Sequence, residues 1–194
     1  MKLFIALSVL VLISSCGVQH RLQNGEADND NSYIYRLPYP EGKSFLLVQG
    51  YNSSFSHKGR LALDFKMKKG SPIHAARGGI VTSVEEGFTK GGVSKKYYRK
   101  ANAIIIRHED GSNAMYAHLM YNGAAVNLGD TVLQGQLIGY SGSTGYSLFP
   151  HLHFLVWGPR PGGGRGQLPV RFQTKDGVKY LKPGKRYQSV PSNN

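Results

Sequence analysis

The chain has 194 residues, 24 Lys+Arg against 11 Asp+Glu, seven His, 25 Gly and a single Cys. That length suits one domain with or without a tail, and one Cys excludes both a disulfide framework and a Cys-rich zinc or iron–sulfur site, so any transition metal must be held by His and carboxylate. The net charge of +13 points to an anionic partner such as nucleic acid, a membrane surface or a wall polymer.

In chain order, Met1-Lys2 is followed by an apolar run from Leu3 to Ile13 and then Ser14-Ser15-Cys16. The run is too short for an ordinary membrane span and has the layout of a signal peptide. Ile13-Ser14-Ser15-Cys16 resembles a bacterial lipobox. The resemblance implies a signal peptide over residues 1–15, cleavage before Cys16, and lipid on the Cys16 thiol that holds the protein at a membrane. Gly17 in place of Asp after the Cys implies the outer membrane, facing the periplasm, in a Gram-negative cell. Residues 16–43 are polar and turn-rich, with His20 among them, and are expected to form the lipidated Cys and a flexible tether.

The main domain is expected over residues 44–190. Short apolar runs broken by Gly, Asn, Asp and Pro suggest strands at 45–49, 61–65, 79–84, 103–107, 114–119, 137–141, 151–156 and 170–173. Turn signals such as Lys69-Gly70-Ser71-Pro72 and Glu109-Asp110-Gly111-Ser112 lie between them. No long helical period follows residue 16, so an all-β, mainly antiparallel domain is expected, with few or no helices after the signal. Residues 86–100 and 158–167 read as long basic loops, the first long enough to be a lid.

Pro150-His151-Leu152-His153-Phe154 is the densest chemical cue. On a strand, His151 and His153 share one face while Leu152 and Phe154 face the core. Asp64 lies in the apolar run Leu61-Ala62-Leu63-Asp64-Phe65 and needs a partner, either a cation or a metal. His57 precedes it by seven positions, so only a turn at Gly59 can bring the two together. In Met115-Tyr116-Ala117-His118-Leu119, His118 is expected on the face of Tyr116. Two His and a carboxylate form the ligand class of a hydrolytic zinc site with an open position, leaving two further His as base and electrostatic stabiliser.

From Gln49 to Trp157 the chain resembles the lysostaphin-type (LytM-like) zinc peptidoglycan endopeptidases. The matching stretches include Ser56-His57, Ala62-Leu63-Asp64-Phe65, Gly70-Ser71-Pro72-Ile73-His74-Ala75-Ala76, Tyr116-Ala117-His118-Leu119 and Pro150-His151-Leu152-His153-Phe154, in order. One departure is that six residues separate His57 from Asp64, where the better-known family motif has the pair four apart.

The resemblance implies an open-groove β-fold of the duplicated-hybrid-motif type. It implies Zn²⁺ held by His57, Asp64 and His153, with His118 and His151 as the catalytic pair that binds no metal. It also implies hydrolysis of peptidoglycan stem peptides or cross-bridges at the bacterial cell envelope. The alternative is a non-catalytic wall-binding or amidase-activating module on the same fold. His74 and His108 occupy family positions that are not ligands.

Gly139-Tyr140-Ser141-Gly142-Ser143-Thr144-Gly145 lacks the Lys of a phosphate loop and reads as a turn beside the groove. Tyr146 and Phe149 suit either a subsite or simple packing. Lys95-Lys96-Tyr97-Tyr98-Arg99-Lys100 would suit single-stranded nucleic acid, but an exported protein meets wall polymer or anionic lipid instead, so no nucleic-acid partner is expected.

Overall fold

Alternation of apolar and polar residues, with β-branched and aromatic side chains between glycine turns, favours strands that bury one face. The computed structural model describes Arg21, residues 33–160 and residues 162–191. In chain order the strands are β1 (Ile34–Arg36), β2 (Ser44–Gln49), β3 (Ala62–Lys66), β4 (Pro72–His74), β5 (Gly79–Glu85) and β6 (Gly91–Gly92). A 3-10 turn at Lys95–Tyr97 leads to β7 (Asn102–Arg107), β8 (Asn113–Ala124), β9 (Thr131–Val132), β10 (Leu137–Ser141) and β11 (Gly145–Tyr146). Then come β12 (His151–Pro159), β13 (Arg165–Leu168), β14 (Arg171–Thr174), β15 (Gly177–Lys179) and β16 (Arg186–Gln188). The domain is all-β, as expected. Cys16 and the lipobox lie outside the described residues.

The main sheet runs β16-β2-β3-β12-β8-β7-β5-β9 through antiparallel pairs, with β4, β10 and β13 attached at its sides. A second sheet, β1-β14-β15, is mixed, since β1 and β14 are parallel. One face of the main sheet is the core. Leu63, Phe65, Ile104, Ile106, Tyr116, Leu152 and Phe154 are almost fully buried there. Each such side chain contributes roughly 1.5–3 kcal/mol when removed from water.

Residues 34–39, expected in the tether, belong to this core. Tyr35, Leu37 and Tyr39 are buried, and the Tyr39 hydroxyl donates to the Tyr187 carbonyl at 2.7 Å. The apolar positions there alternate over too few residues to stand out from the polar run before them. The basic stretch 158–167 is likewise shorter as a loop than expected, because β12 continues to Pro159 and pairs with β13.

The opposite face of the main sheet carries a transverse row. Asp64 on β3 pairs with His153 on β12, His153 with Ala117 on β8, and Ala117 with Ala103 on β7. Small residues at Ala117 and Ala103 leave the second face open as a groove floor.

Candidate metal and catalytic centre

His57, Asp64 and His153 converge at one end of this row, each offering a ligand atom within 4.8 Å of the others. All three are buried. His57 arrives from a loop, and the turn at Gly59 (φ 72°) makes the reversal that a straight strand would not allow. Arg60 N–H donates to the His57 carbonyl at 2.8 Å and Asn52 N–H to the Arg60 carbonyl at 2.9 Å, closing the loop.

The second atoms of these side chains fix their orientation. His57 Nδ1–H donates to the Gly50 carbonyl at 3.2 Å, which directs Nε2 to Asp64 Oδ2 at 3.2 Å. His57 Nε2 is buried and makes no hydrogen bond among the described residues. His153 Nδ1 lies 2.8 Å from Asp64 Oδ1. Gln49 Nε2 donates to Asp64 Oδ2 at 2.7 Å, and Gln49 Oε1 accepts from Ser56 N–H at 3.1 Å, tying the carboxylate to the loop that carries His57. Burial alone would raise the Asp64 pKa, but His153 and His57 outweigh it and hold the carboxyl well below its usual range.

This donor set fits zinc. It offers two imidazoles and one carboxylate, an orphaned ring nitrogen, and donor separations of 2.8 and 3.2 Å. Tetrahedral zinc at its usual bond lengths places neighbouring ligand atoms roughly 3.3 Å apart.

His151 and His118 stand beside the three. His151 shares the His153 face of β12, while Leu152 and Phe154 are buried in the core, as the period of two requires. His151 Nδ1–H donates to the Phe149 carbonyl at 2.8 Å, and its Nε2 is 3.7 Å from Asp64 Oδ1. The His118 and His151 rings are 4.6 Å apart between centroids.

His118 corrects one expectation. On a regular strand it would follow Tyr116 into the core, yet it lines the groove with Ala117. The cause is a bulge: Asn102 pairs with Leu119 but Ala103 with Ala117, so His118 is the extra residue, and its φ is +64°. A left-handed non-glycine residue costs roughly 1–2 kcal/mol. Nδ1–H of His118 offsets part of this by donating to the Thr144 carbonyl at 2.7 Å.

Burial, followed by the neighbouring His151 and His153, pushes the His118 pKa down to about 3. Burial also lowers that of His151. Both rings are therefore neutral near pH 7, each with Nδ1–H engaged and the Nε2 lone pair free for a proton.

The groove spans about 780 Å³ and is walled in part by Tyr98, Tyr146, Leu148 and Phe149. The expected lid, residues 86–100, is built into this wall. Gly91 and Gly92 of β6 pair in parallel with Gly145 and Tyr146 of β11. A methyl on Gly91 would collide with the Ser143 carbonyl, and one on Gly145 with Ala101. The Tyr98 and Tyr146 rings lie 4.6 Å apart. Asn102, fully buried, anchors the base of the loop. Its Oδ1 accepts from Phe88 N–H at 2.8 Å, and its Nδ2 donates to the Phe88 carbonyl at 2.8 Å and the Met120 carbonyl at 3.0 Å. Thr144 Oγ1 accepts from Asn102 N–H and donates to the Leu119 carbonyl, which places the His118 acceptor.

His74 and His108 stand outside the centre. His108 is buried elsewhere, its Nδ1–H donating to the Gly78 carbonyl at 2.8 Å. His20 lies outside the described residues. Gln49, Thr144 and the Gly50 and Phe149 carbonyls were not expected. Main-chain acceptors leave no mark in a sequence, and Gln49 shows only as a polar end to an apolar strand.

A model of peptidase family M23 matches residues 56–165. Glycyl-glycine endopeptidase ALE-1 of Staphylococcus capitis is 40% identical over 119 residues, 60% of this chain and 26% of that protein. DD-carboxypeptidase/endopeptidase Mpg of Neisseria meningitidis is 36% identical over 92 residues, 47% of this chain and 18% of that protein. Each match thus spans about a quarter or less of the relative's length. The solved catalytic domain of the antimicrobial peptidase lysostaphin from Staphylococcus simulans is 34% identical, with 59% of this chain and 78% of that one covered at a TM-score of 0.44.

Proposed function

The chain belongs to peptidase family M23, and from that premise we propose that it is a zinc-dependent endopeptidase hydrolysing peptide bonds of peptidoglycan. The observation that carries the reading is the buried His57–Asp64–His153 cluster beside two further neutral imidazoles at the end of an open groove. Two relatives are named as peptidases, a glycyl-glycine endopeptidase and a DD-carboxypeptidase/endopeptidase.

Zn²⁺, when bound by His57, Asp64 and His153, supplies Lewis-acid polarisation of the substrate carbonyl and a water of lowered pKa. The chain's own residues do the rest. Gln49 and the Gly50 carbonyl orient the ligand side chains. His118 and His151, anchored at Nδ1 by the Thr144 and Phe149 carbonyls, present Nε2 to the groove. The one that takes a proton from water then holds it at Nε2 and returns it to the leaving amine. The other, 4.6 Å away between centroids, faces the same reacting carbonyl.

The test is direct. Full-length protein reconstituted with zinc should bind about one ion per chain and release soluble peptides from purified walls. Asp64→Ala should lose both metal and lysis, whereas His151→Ala should keep most of the metal and lose lysis. Zinc-loaded protein that releases no peptide would leave only a non-catalytic binding module.

The location is proposed with the activity. Cys16 carries lipid and tethers the domain to the cell envelope, a reading supported by the chain's single Cys falling at the position that a lipobox requires. Cys16→Ser should abolish acyl labelling, and persistent labelling would refute the anchor.

A further inference from the structure

Two arginines line the groove without a partner. Neither the Arg60 nor the Arg99 side chain has a hydrogen bond or ion pair among the described residues. Among the described residues that line the groove Asp64 is the only acid, and it is engaged by His153, His57 and Gln49. The Arg60 backbone is fixed by hydrogen bonds, and Arg99 sits in a turn. Arg60 N–H and C=O close the loop that carries His57. Arg99 follows the 3-10 turn with φ +59°, next to the Tyr98 that stacks on Tyr146. A left-handed backbone on a long side chain is uncommon, and here it falls at the groove.

The transverse row shows how the two are arranged. Arg60 stands four residues before Asp64, at one end of the row, and Arg99 four residues before Ala103, at the other. β3 and β7 run in opposite directions, being three antiparallel steps apart, so the segments that lead into them, with Arg60 and Arg99, enter from opposite edges of the row. The row itself spans three strand spacings, roughly 14 Å. That is on the order of four residues of extended peptide. A neutral glycine peptide offers these guanidinium groups carbonyl acceptors but no opposite charge. A peptide bearing free carboxylates offers each an ion pair, bidentate in the favourable case.

We propose that Arg60 and Arg99 are specificity-determining residues that select peptides carrying free carboxylates, one near the scissile bond and another several residues along, over uncharged glycyl bridges. The proposal rests on the peptidase reading above and names the substrate class of that same groove.

The experiment uses two synthetic stem-type peptides, identical except that one has free carboxylates and the other carboxamides. Their affinities are read by calorimetry on full-length protein stripped of metal, so that nothing turns over. Their kcat/KM values are read on the zinc-loaded protein. The acid peptide should be favoured about tenfold in both, as expected for two solvent-exposed arginine–carboxylate pairs together, and the preference should shrink as salt rises. In Arg60→Gln/Arg99→Gln it should fall towards unity, and Arg60→Lys/Arg99→Lys should restore part of it. Equal affinity of wild-type protein for the two peptides, or an undiminished preference in the double Gln variant, would overturn the proposal. Preferential binding of the acid peptide without hydrolysis of either would sustain carboxylate recognition and overturn the peptidase reading alone.

Discussion

Replacing His118 by glycine should give a more stable protein than replacing it by alanine. Both variants lose the imidazole and its bond to the Thr144 carbonyl, so their difference isolates the backbone. Residue 118 holds φ +64°, where an alanine Cβ costs roughly 1–2 kcal/mol. Against this, glycine's greater freedom in the unfolded chain costs roughly 0.5–1 kcal/mol. The midpoints of the two ranges put glycine ahead by about 0.75 kcal/mol.

The neighbouring Ala117 has no positive φ and provides the control with the opposite sign, since Ala117→Gly should destabilise. Equilibrium urea unfolding of metal-stripped protein measures both, compared by midpoint at constant slope and without ligand linkage. His118→Ala equal to or more stable than His118→Gly would show that the bulge stores no strain and refute the reasoning.

Gln49→Ala should weaken zinc affinity about 10- to 100-fold, because it removes an orienting hydrogen bond from a ligand carboxylate; competition with a chelating dye measures it. Asn102→Ala should cost roughly 1.5–4.5 kcal/mol, from its three shortest side-chain bonds at roughly 0.5–1.5 kcal/mol each, read by denaturant unfolding. His108 has its pKa lowered by burial, so the unfolded chain takes up a proton first as pH falls. Its contribution is intact above about 6.5, the ordinary His value, and is lost progressively as pH falls from there to the folded value. Stability against pH should fall less steeply in that window for His108→Gln than for the parent chain.

The longer strands were legible because their periods are long enough to count. Leu152 and Phe154 inward with His151 and His153 outward follows from a period of two over nine residues. Strands β6, β9 and β11 have two residues each, and nothing in a Gly-Gly pair announces a strand. The placement of His118 failed for a definite reason. Parity holds only while the ladder is regular, and a bulge inserts one residue without a sequence mark unless that residue is glycine. The convergence of His57 with Asp64 was readable only as a demand on Gly59, which the left-handed turn meets.

The fastening of residues 90–92 to 143–146 is made of main chain: glycine against glycine, with Lys90 C=O accepting from Gly145 N–H at 3.1 Å. Beyond it, between Val93 and Lys100, Tyr98 adds a ring contact to Tyr146 at 4.6 Å, but none of these side chains hydrogen-bonds Thr144 among the described residues. That segment is thus an exchangeable cassette. Its exposed residues, Arg99 included, can change while the main-chain fastening keeps the Thr144 carbonyl in place. The groove wall can thus diverge at this segment without moving the imidazole, whereas Arg60 stays tied to the loop that carries His57.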